Sequence, residues 1–124
     1  MNTIHAPSHD TIEPGLITIE AASFRQIPRF DIIGLPSKEV SEARDRVRSA
    51  VIESGFEFPK RRVLLNLSPA GEIKTGTGLD LPMALGVLSQ NMSLKQKILA
   101  WGELGLDGTI KSAGQNVRSL YTAW

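Results

Sequence analysis

The sequence contains no cysteine. Disulfides and thiolate metal sites are therefore excluded, which is compatible with a reducing compartment. Histidine is almost as scarce. Both copies, His5 and His9, sit in the polar stretch before Gly15, so the rest of the chain cannot assemble a Ser-His-Asp triad. A zinc site would need carboxylates drawn from far along the chain, so neither metal nor cofactor is expected. No apolar run approaches the ~20 residues that span a bilayer. The leader MNTIHAPSHDTIEP also lacks the basic start and apolar centre of a secretion signal. The expectation is a cytoplasmic chain with no membrane partner. Neither charge sign dominates: 14 Lys and Arg stand against 13 Asp and Glu, a net charge of +1. That balance alone points to no nucleic-acid partner. Two phosphate-cradling signatures are missing as well. GxxxxGK[ST] does not occur, and GxGxxG fails because position 81 is Leu.

What is present fits one domain of 124 residues with 41% apolar content. Residues 1–11 read as a flexible leader or a weak edge strand. Gly15 to Ala22 alternates Ile17, Ile19 and Ala21 against Leu16, Thr18 and Glu20, a strand with one buried face. Arg29 to Leu35 is a second strand, and the short connection between the two favours a hairpin. Ser37 then caps a helix whose apolar face is Val40, Ala43, Val47, Ala50 and Val51. Its wet face offers Glu42 and Arg46 as an i,i+4 pair. Ser54-Gly55 ends it, with Gly55 as the left-handed residue.

The run Val63 to Leu67 is nearly all apolar and reads as a central strand covered on both faces. Glu72 to Gly78 is a loop. Asp80 is read as the cap of a second helix, with Pro82 in its first turn and apolar residues almost all round. Ile98 to Leu104 reads as a strand, Asp107-Gly108 as a hairpin turn and Thr109 to Lys111 as the return strand. Gly114 to Trp124 would be a last helix, with Val117, Leu120, Tyr121 and Trp124 on one side. It has no cap or partner, so the chain reads as truncated at that end. The order is β-β-α-β-α-β-β-α, an α+β class with helices packed on a sheet.

Three groups of residues offer chemistry. Gly76-Thr77-Gly78 precedes a helix start, where free N–H groups and the dipole favour an anion, although such glycines also serve simply to turn the chain. A Ser-Lys arrangement would draw on Ser68, Thr75 or Thr77 with Lys74 or Lys111, and sequence supplies no distance between them. Arg44, Arg46, Arg48 and Lys60-Arg61-Arg62 place six cations within nineteen positions. They suit a phosphate-bearing or acidic partner, or equally a solvated helix face and a guarded strand edge. Arg44 and Arg48 share a helix face, Arg46 lies on another, and no aromatic residue interleaves to form a stacking platform.

The ordered series GLP, RDRVRSA, SGFEFPKRR, NLSPAG, LDLPMALG and GELGLDG, spread from Ile12 to Ile110, resembles the N-terminal domain of the ComM, or magnesium-chelatase-like, AAA+ proteins, also described as putative ATP-dependent proteases. The resemblance implies a domain like the proteolytic domain of Lon, with the fold of ribosomal protein S5 domain 2, over residues 12–124. It also implies a link to competence and natural transformation, through a hexameric motor acting on DNA. No Walker motif is present, so the AAA+ module is absent from this chain.

The resemblance places the Lon nucleophile at Gly78 and the Lon lysine at Asn116. A glycine cannot attack and an asparagine cannot serve as base, so peptidase chemistry is not expected. Three readings follow. The first is a non-catalytic accessory domain serving assembly or contact with DNA or an acidic protein surface through Arg44, Arg48, Lys60, Arg61 and Arg62. Its partners would be the family's AAA+ module and further copies of itself. The second is a Ser/Thr-Lys peptidase using Thr77 with Lys111. The third is an inactive remnant.

Overall fold

The computed structural model describes residues 2–8, 15–69, 71–92 and 94–113. In chain order these contain β1 (Asn2–Pro7), β2 (Leu16–Phe24), β3 (Arg29–Ile33), α1 (Lys38–Glu53), β4 (Arg62–Ser68), α2 (Asp80–Leu88), β5 (Glu103–Leu104) and β6 (Ile110–Lys111). The mixed α+β class expected from the sequence is present. The last helix read from residue 114 onward, together with Asn116, lies outside the described residues.

The four long strands form one sheet in the order β1-β2-β4-β3. The expected hairpin between β2 and β3 does not form. Strand β4 inserts between them, antiparallel to β2 with Phe24 opposite Arg62, and parallel to β3 with Arg29 opposite Arg62. The physical reason lies in β4 itself. Val63, Leu65 and Leu67 are completely buried, so the most apolar strand gains a neighbour on each edge. The β3-α1-β4 crossover then supplies the helix that a parallel pair requires. Its other face departs from expectation too. Leu64 and Asn66 are only half-buried, and Asn66 Nδ2 donates to Glu20 Oε1 at 2.8 Å, so β4 is not sealed on both sides.

Of the two readings of the leader, flexible segment or edge strand, the structure has the edge strand over residues 2–7. These form the edge strand β1, antiparallel to β2 from Asn2 opposite Ala21 to Pro7 opposite Leu16. Ile4 and Ala6 join the core and are fully buried, and Pro7 at the strand end is buried as well. So few inward residues leave little periodicity to detect. The outer edge of β1 is paired with the segment at 98–100: His5 N donates to Ile98 O and Ala100 N to His5 O, each at 2.9 Å. The strand expected over 98–104 is thus divided. Its first part borders β1, and only Glu103–Leu104 pairs with Ile110–Lys111 across the Asp107-Gly108 turn.

Helix α1 follows its sequence signals closely. Ser37 Oγ accepts from Val40 N at 3.3 Å, and the five residues of the predicted apolar face are all buried. Gly55 has φ 91°, with Gly55 N donating to Ile52 O and Phe56 N to Val51 O, a Schellman ending. Helix α2 packs its Met83, Ala84 and Val87 into the same core as Ile19, Ala21 and Leu65.

Asp80 is not a cap. A 3-10 turn at Thr77–Leu79 leads directly into α2, and Asp80 is its first residue, with helical backbone angles. Its buried carboxylate is turned to other partners. Arg46 Nε donates to Oδ2 at 2.8 Å and Arg46 Nη2 to Oδ1 at 3.1 Å, a two-pronged pair. Leu104 N adds a third bond to Oδ2 at 3.1 Å. Hydrogen bonding to Asp80 raises the Arg46 guanidinium above its ordinary pKa, against the opposing effect of burial. The local Glu42–Arg46 pair is therefore displaced by a tertiary one.

Removing one partner of a buried ion pair strands the other. Asp80→Ala should cost about 3–5 kcal/mol, whereas Glu42→Ala should stay within about 0.5 kcal/mol. Urea unfolding of both variants checks this contrast.

A pH dependence follows from His5 on β1. Its Nδ1 lies 3.2 Å from Thr18 Oγ1. Burial, and then the nearby Lys97 charge, lower its pKa below 6.5. The unfolded chain therefore binds the proton more readily than the folded one. This contribution to stability is complete above pH 6.5 and is lost as pH falls through that value toward the folded pKa. Stability curves between pH 5 and 7.5 should be flatter in His5→Asn than in the parent chain.

Candidate functional site

The turn into α2 was the first place the sequence offered for chemistry. Its donors are already engaged. Gly76 N donates to Glu39 Oε1 at 2.6 Å, and Leu81 N donates to Gly102 O at 2.9 Å. Gly102 N in turn donates to Gly78 O at 2.8 Å, so the segment at 101–102 is laced onto the helix start. This segment carries Trp101 across the turn. A Cβ built on Gly78 would lie 1.9 Å from Trp101 Cε2, and one on Gly76 would lie 2.9 Å from the same ring. The glycines are thus the floor on which an indole rests. The place that the resemblance assigns to a nucleophile is occupied by the Trp101 ring.

No hydrogen bond joins the alternative pair, Thr77 and Lys111. Thr77 is half-buried in the 3-10 turn, while Lys111 is exposed on β6. Lys111 instead acts on Asp107. There the backbone N–H of Thr109 is the main cause of a lowered carboxylate pKa, and Lys111 adds a smaller push in the same direction. Lys74, the other lysine considered, is buried and donates through Nζ to Pro69 O rather than to a hydroxyl.

The basic residues fall into two groups at the same end of the sheet. Arg44 and Arg48 are exposed on the outer side of α1, next to the edge strand β3. Arg44 Nη1 reaches Phe30 O at 3.5 Å, and the Arg48 guanidinium sits 5.2 Å from the centre of the Phe58 ring. Phe58 in turn lies 5.3 Å from Phe30, ring centre to ring centre. Arg62 belongs to the opposite sheet face. It is half-buried, bonds Asp31 at 3.4 Å and lies over Phe24 at 5.9 Å. Lys60 and Arg61 are exposed where the chain enters β4. Arg46 faces away, toward Asp80.

Two things were not legible in the sequence. Aromatic rings do interleave with the cations, through Phe24, Phe30 and Phe58, against the expectation that none would. Arg29 also joins the group, sharing Asp31 with Arg62 at 2.9 Å, and Arg25 lies exposed in the connecting loop. The signal was the sheet register. Arg62 is distant in sequence from Phe24 and Arg29 and becomes their neighbour only once β4 lies between β2 and β3.

The geometry defines a class: a mixed α+β domain whose central sheet carries helices, with a tightly filled turn and a basic, aromatic-lined sheet end. Comparison with known proteins specifies it further. Residues 19–123 match the family model described as subunit ChlI of Mg-chelatase. The chain is 40% identical over 114 residues to the uncharacterized protein YifB of Salmonella typhimurium, covering 83% of this chain and 22% of that protein. It is 34% identical over 130 residues to YifB of Escherichia coli, covering 96% and 26%. It is 38% identical over 104 residues to the competence protein ComM of Haemophilus influenzae, covering 81% and 20%. The chain belongs to this ChlI, ComM and YifB family, which is AAA+-associated. It spans 20–26% of the length of these curated relatives. Its architecture is consistent with the Lon-like superfamily fold. Among the described residues no helix is long and apolar enough to cross a membrane.

The filled turn is open to a direct check. Gly78→Ser and Gly78→Ala should each lose roughly 1–3 kcal/mol or more, because any Cβ must displace the indole. Thermal unfolding should show similar losses for the two, since the obstacle is the added carbon and not the hydroxyl.

Proposed function

We propose that this chain is a non-catalytic accessory domain with the ribosomal protein S5 domain 2 fold, part of a longer ComM-type AAA+ protein that processes DNA. Its work is contact with the DNA on which that protein acts. The observation that carries the reading is one sheet end with cations on both faces: Arg44 and Arg48 beside Phe30 and Phe58 on the helix side, Arg62 beside Phe24 on the other, and Lys60 and Arg61 exposed between them where the chain enters β4. Cations alone there would suit any acidic surface. Cations held over aromatic rings combine attraction for phosphate with planar faces for bases, which is how nucleic-acid grooves are built. The name of the Haemophilus relative, a competence protein, agrees with a role near DNA.

The non-catalytic part of the reading rests on Gly78. No nucleophile stands there, and Trp101 fills the space one would need. The Thr77 and Lys111 alternative has no supporting contact.

Each phosphate contact releases counterions and steepens the salt dependence of binding by close to one unit. Fluorescence titrations of labelled DNA over a series of salt concentrations should therefore show tight binding at low salt that weakens steeply. The double variants Arg44→Ala/Arg48→Ala and Arg61→Ala/Arg62→Ala should each reduce the logarithmic slope by about two. Absence of binding at low salt, or unchanged slopes in both variants, would remove DNA contact from the proposal.

A further inference from the structure

The opposite end of the sheet holds a feature that DNA contact does not use. Lys74 is 1% exposed, the bulkiest of the fully buried side chains among the described residues. Its backbone is stitched to the turn before α1: Lys74 N donates to Leu35 O at 2.9 Å, and Ser37 N donates to Lys74 O at 2.8 Å. Those bonds fix the segment whatever the side chain, so they do not explain a lysine. The ammonium donates to one carbonyl, that of Pro69. Among the described residues no carboxylate forms an ion pair with it. An ammonium taken out of water without a counter-charge costs several kcal/mol. An apolar side chain of similar length would avoid that cost.

Beside Lys74 lies a cleft of about 510 Å³, lined by Ser8, Ile17, Gly71, Glu72, Ile73, Lys74 and Thr75. Its volume is in the range of small-molecule clefts. The residues that line it include Lys74, Thr75, the apolar Ile17 and Ile73, and the exposed Glu72. Ile73 is 72% exposed, a large apolar side chain standing in water at the rim. A cation calls for an anionic ligand. Glu72 repels a second negative charge and so disfavours a phosphate dianion. The isoleucines favour an apolar group next to the anionic one.

We propose that this cleft binds a small ligand bearing a single carboxylate attached to a short apolar group, with the carboxylate on the Lys74 ammonium and the apolar group against Ile17 and Ile73. Burial lowers the Lys74 pKa, and Glu72 offsets this in part. A bound carboxylate adds a further opposite charge to that of Glu72.

The test uses the isotope-labelled 124-residue chain. N-acetylleucine, its neutral amide and inorganic phosphate are titrated separately and followed by NMR. N-acetylleucine should shift the amide signals of Gly71, Glu72, Ile73 and Thr75 in a saturable way. The neutral amide should bind at least about tenfold more weakly, since it lacks the charge-assisted bond. Lys74→Met should abolish the shifts. Because Lys74 is buried, the fold of that variant is checked by its amide spectrum, and the exposed Glu72→Gln supplies an independent arm. It should tighten N-acetylleucine binding by about twofold to fivefold through removal of a rim charge. The proposal is overturned if these signals do not move, if the neutral amide or phosphate binds as well as the carboxylate, or if Glu72→Gln leaves the affinity unchanged.

Discussion

The carboxylate of Asp80 holds three structural elements in register. It takes two hydrogen bonds from Arg46 of α1 and one from the backbone of Leu104 on β5, while standing at the start of α2. Through it both helices are fixed over the sheet, and the β5–β6 hairpin is fixed to the helices. A buried, fully bonded ion pair of this kind specifies an arrangement more than it stabilises one, because its attraction is largely offset by desolvation. The hydrophobic core supplies the driving force. Asp80 decides which way the apolar faces of α1 and α2 are turned when they are buried. The packing of Trp101 on Gly78 depends on the same tie, since Leu104 is three residues beyond Trp101.

The sheet has two chemically different ends. Strands β3 and β4 run side by side from Arg29 and Arg62 to Ile33 and Ser68, with β2 running the other way. Their starts are cationic and lined with phenylalanine. At the far end, beyond Ser68 and beside Ile17, lies the cleft with the buried Lys74. The two surfaces are therefore separate: a broad exposed one proposed for a polyanion and an open cleft proposed for a single charge. The turn into α2 lies between α1, α2 and the 101–102 segment, and it is filled by the Trp101 ring.

The family shared with ComM and YifB goes with a mixed α+β scaffold in which the loop into α2, the buried helix and the hairpin beyond it are tied together. Gly78 and the Trp101 indole make a packed joint between the helix start and a neighbouring segment. The surface that remains rich in charge is the sheet end, and the functional proposal rests there.

Local signals were legible in the sequence wherever the deciding interactions were local. The Ser37 cap, the apolar face of α1, the Gly55 ending, the alternation in β2 and the Asp107-Gly108 turn each depend on residues within a few positions of one another. The separation of Arg46 from Arg44 and Arg48 followed from helical geometry alone. Tertiary structure decided the rest. The pairing of β4 between β2 and β3 was hidden because a short connection favours a hairpin locally, while burial of Val63, Leu65 and Leu67 rewards the central position globally. The edge strand at 2–7 stayed one of two readings because so few inward residues make little pattern. Asp80 resembled a cap because its long-range partner Arg46 is invisible to local rules. Lys74 read as a loop lysine, since nothing beside it in sequence announces that the chain will close over it. The sequence by itself determined the elements and the family. The meeting of Phe24 with Arg62, of Trp101 with Gly78 and of Lys74 with its cleft was decided only by folding, because each joins segments whose proximity comes from packing rather than from chain neighbourhood.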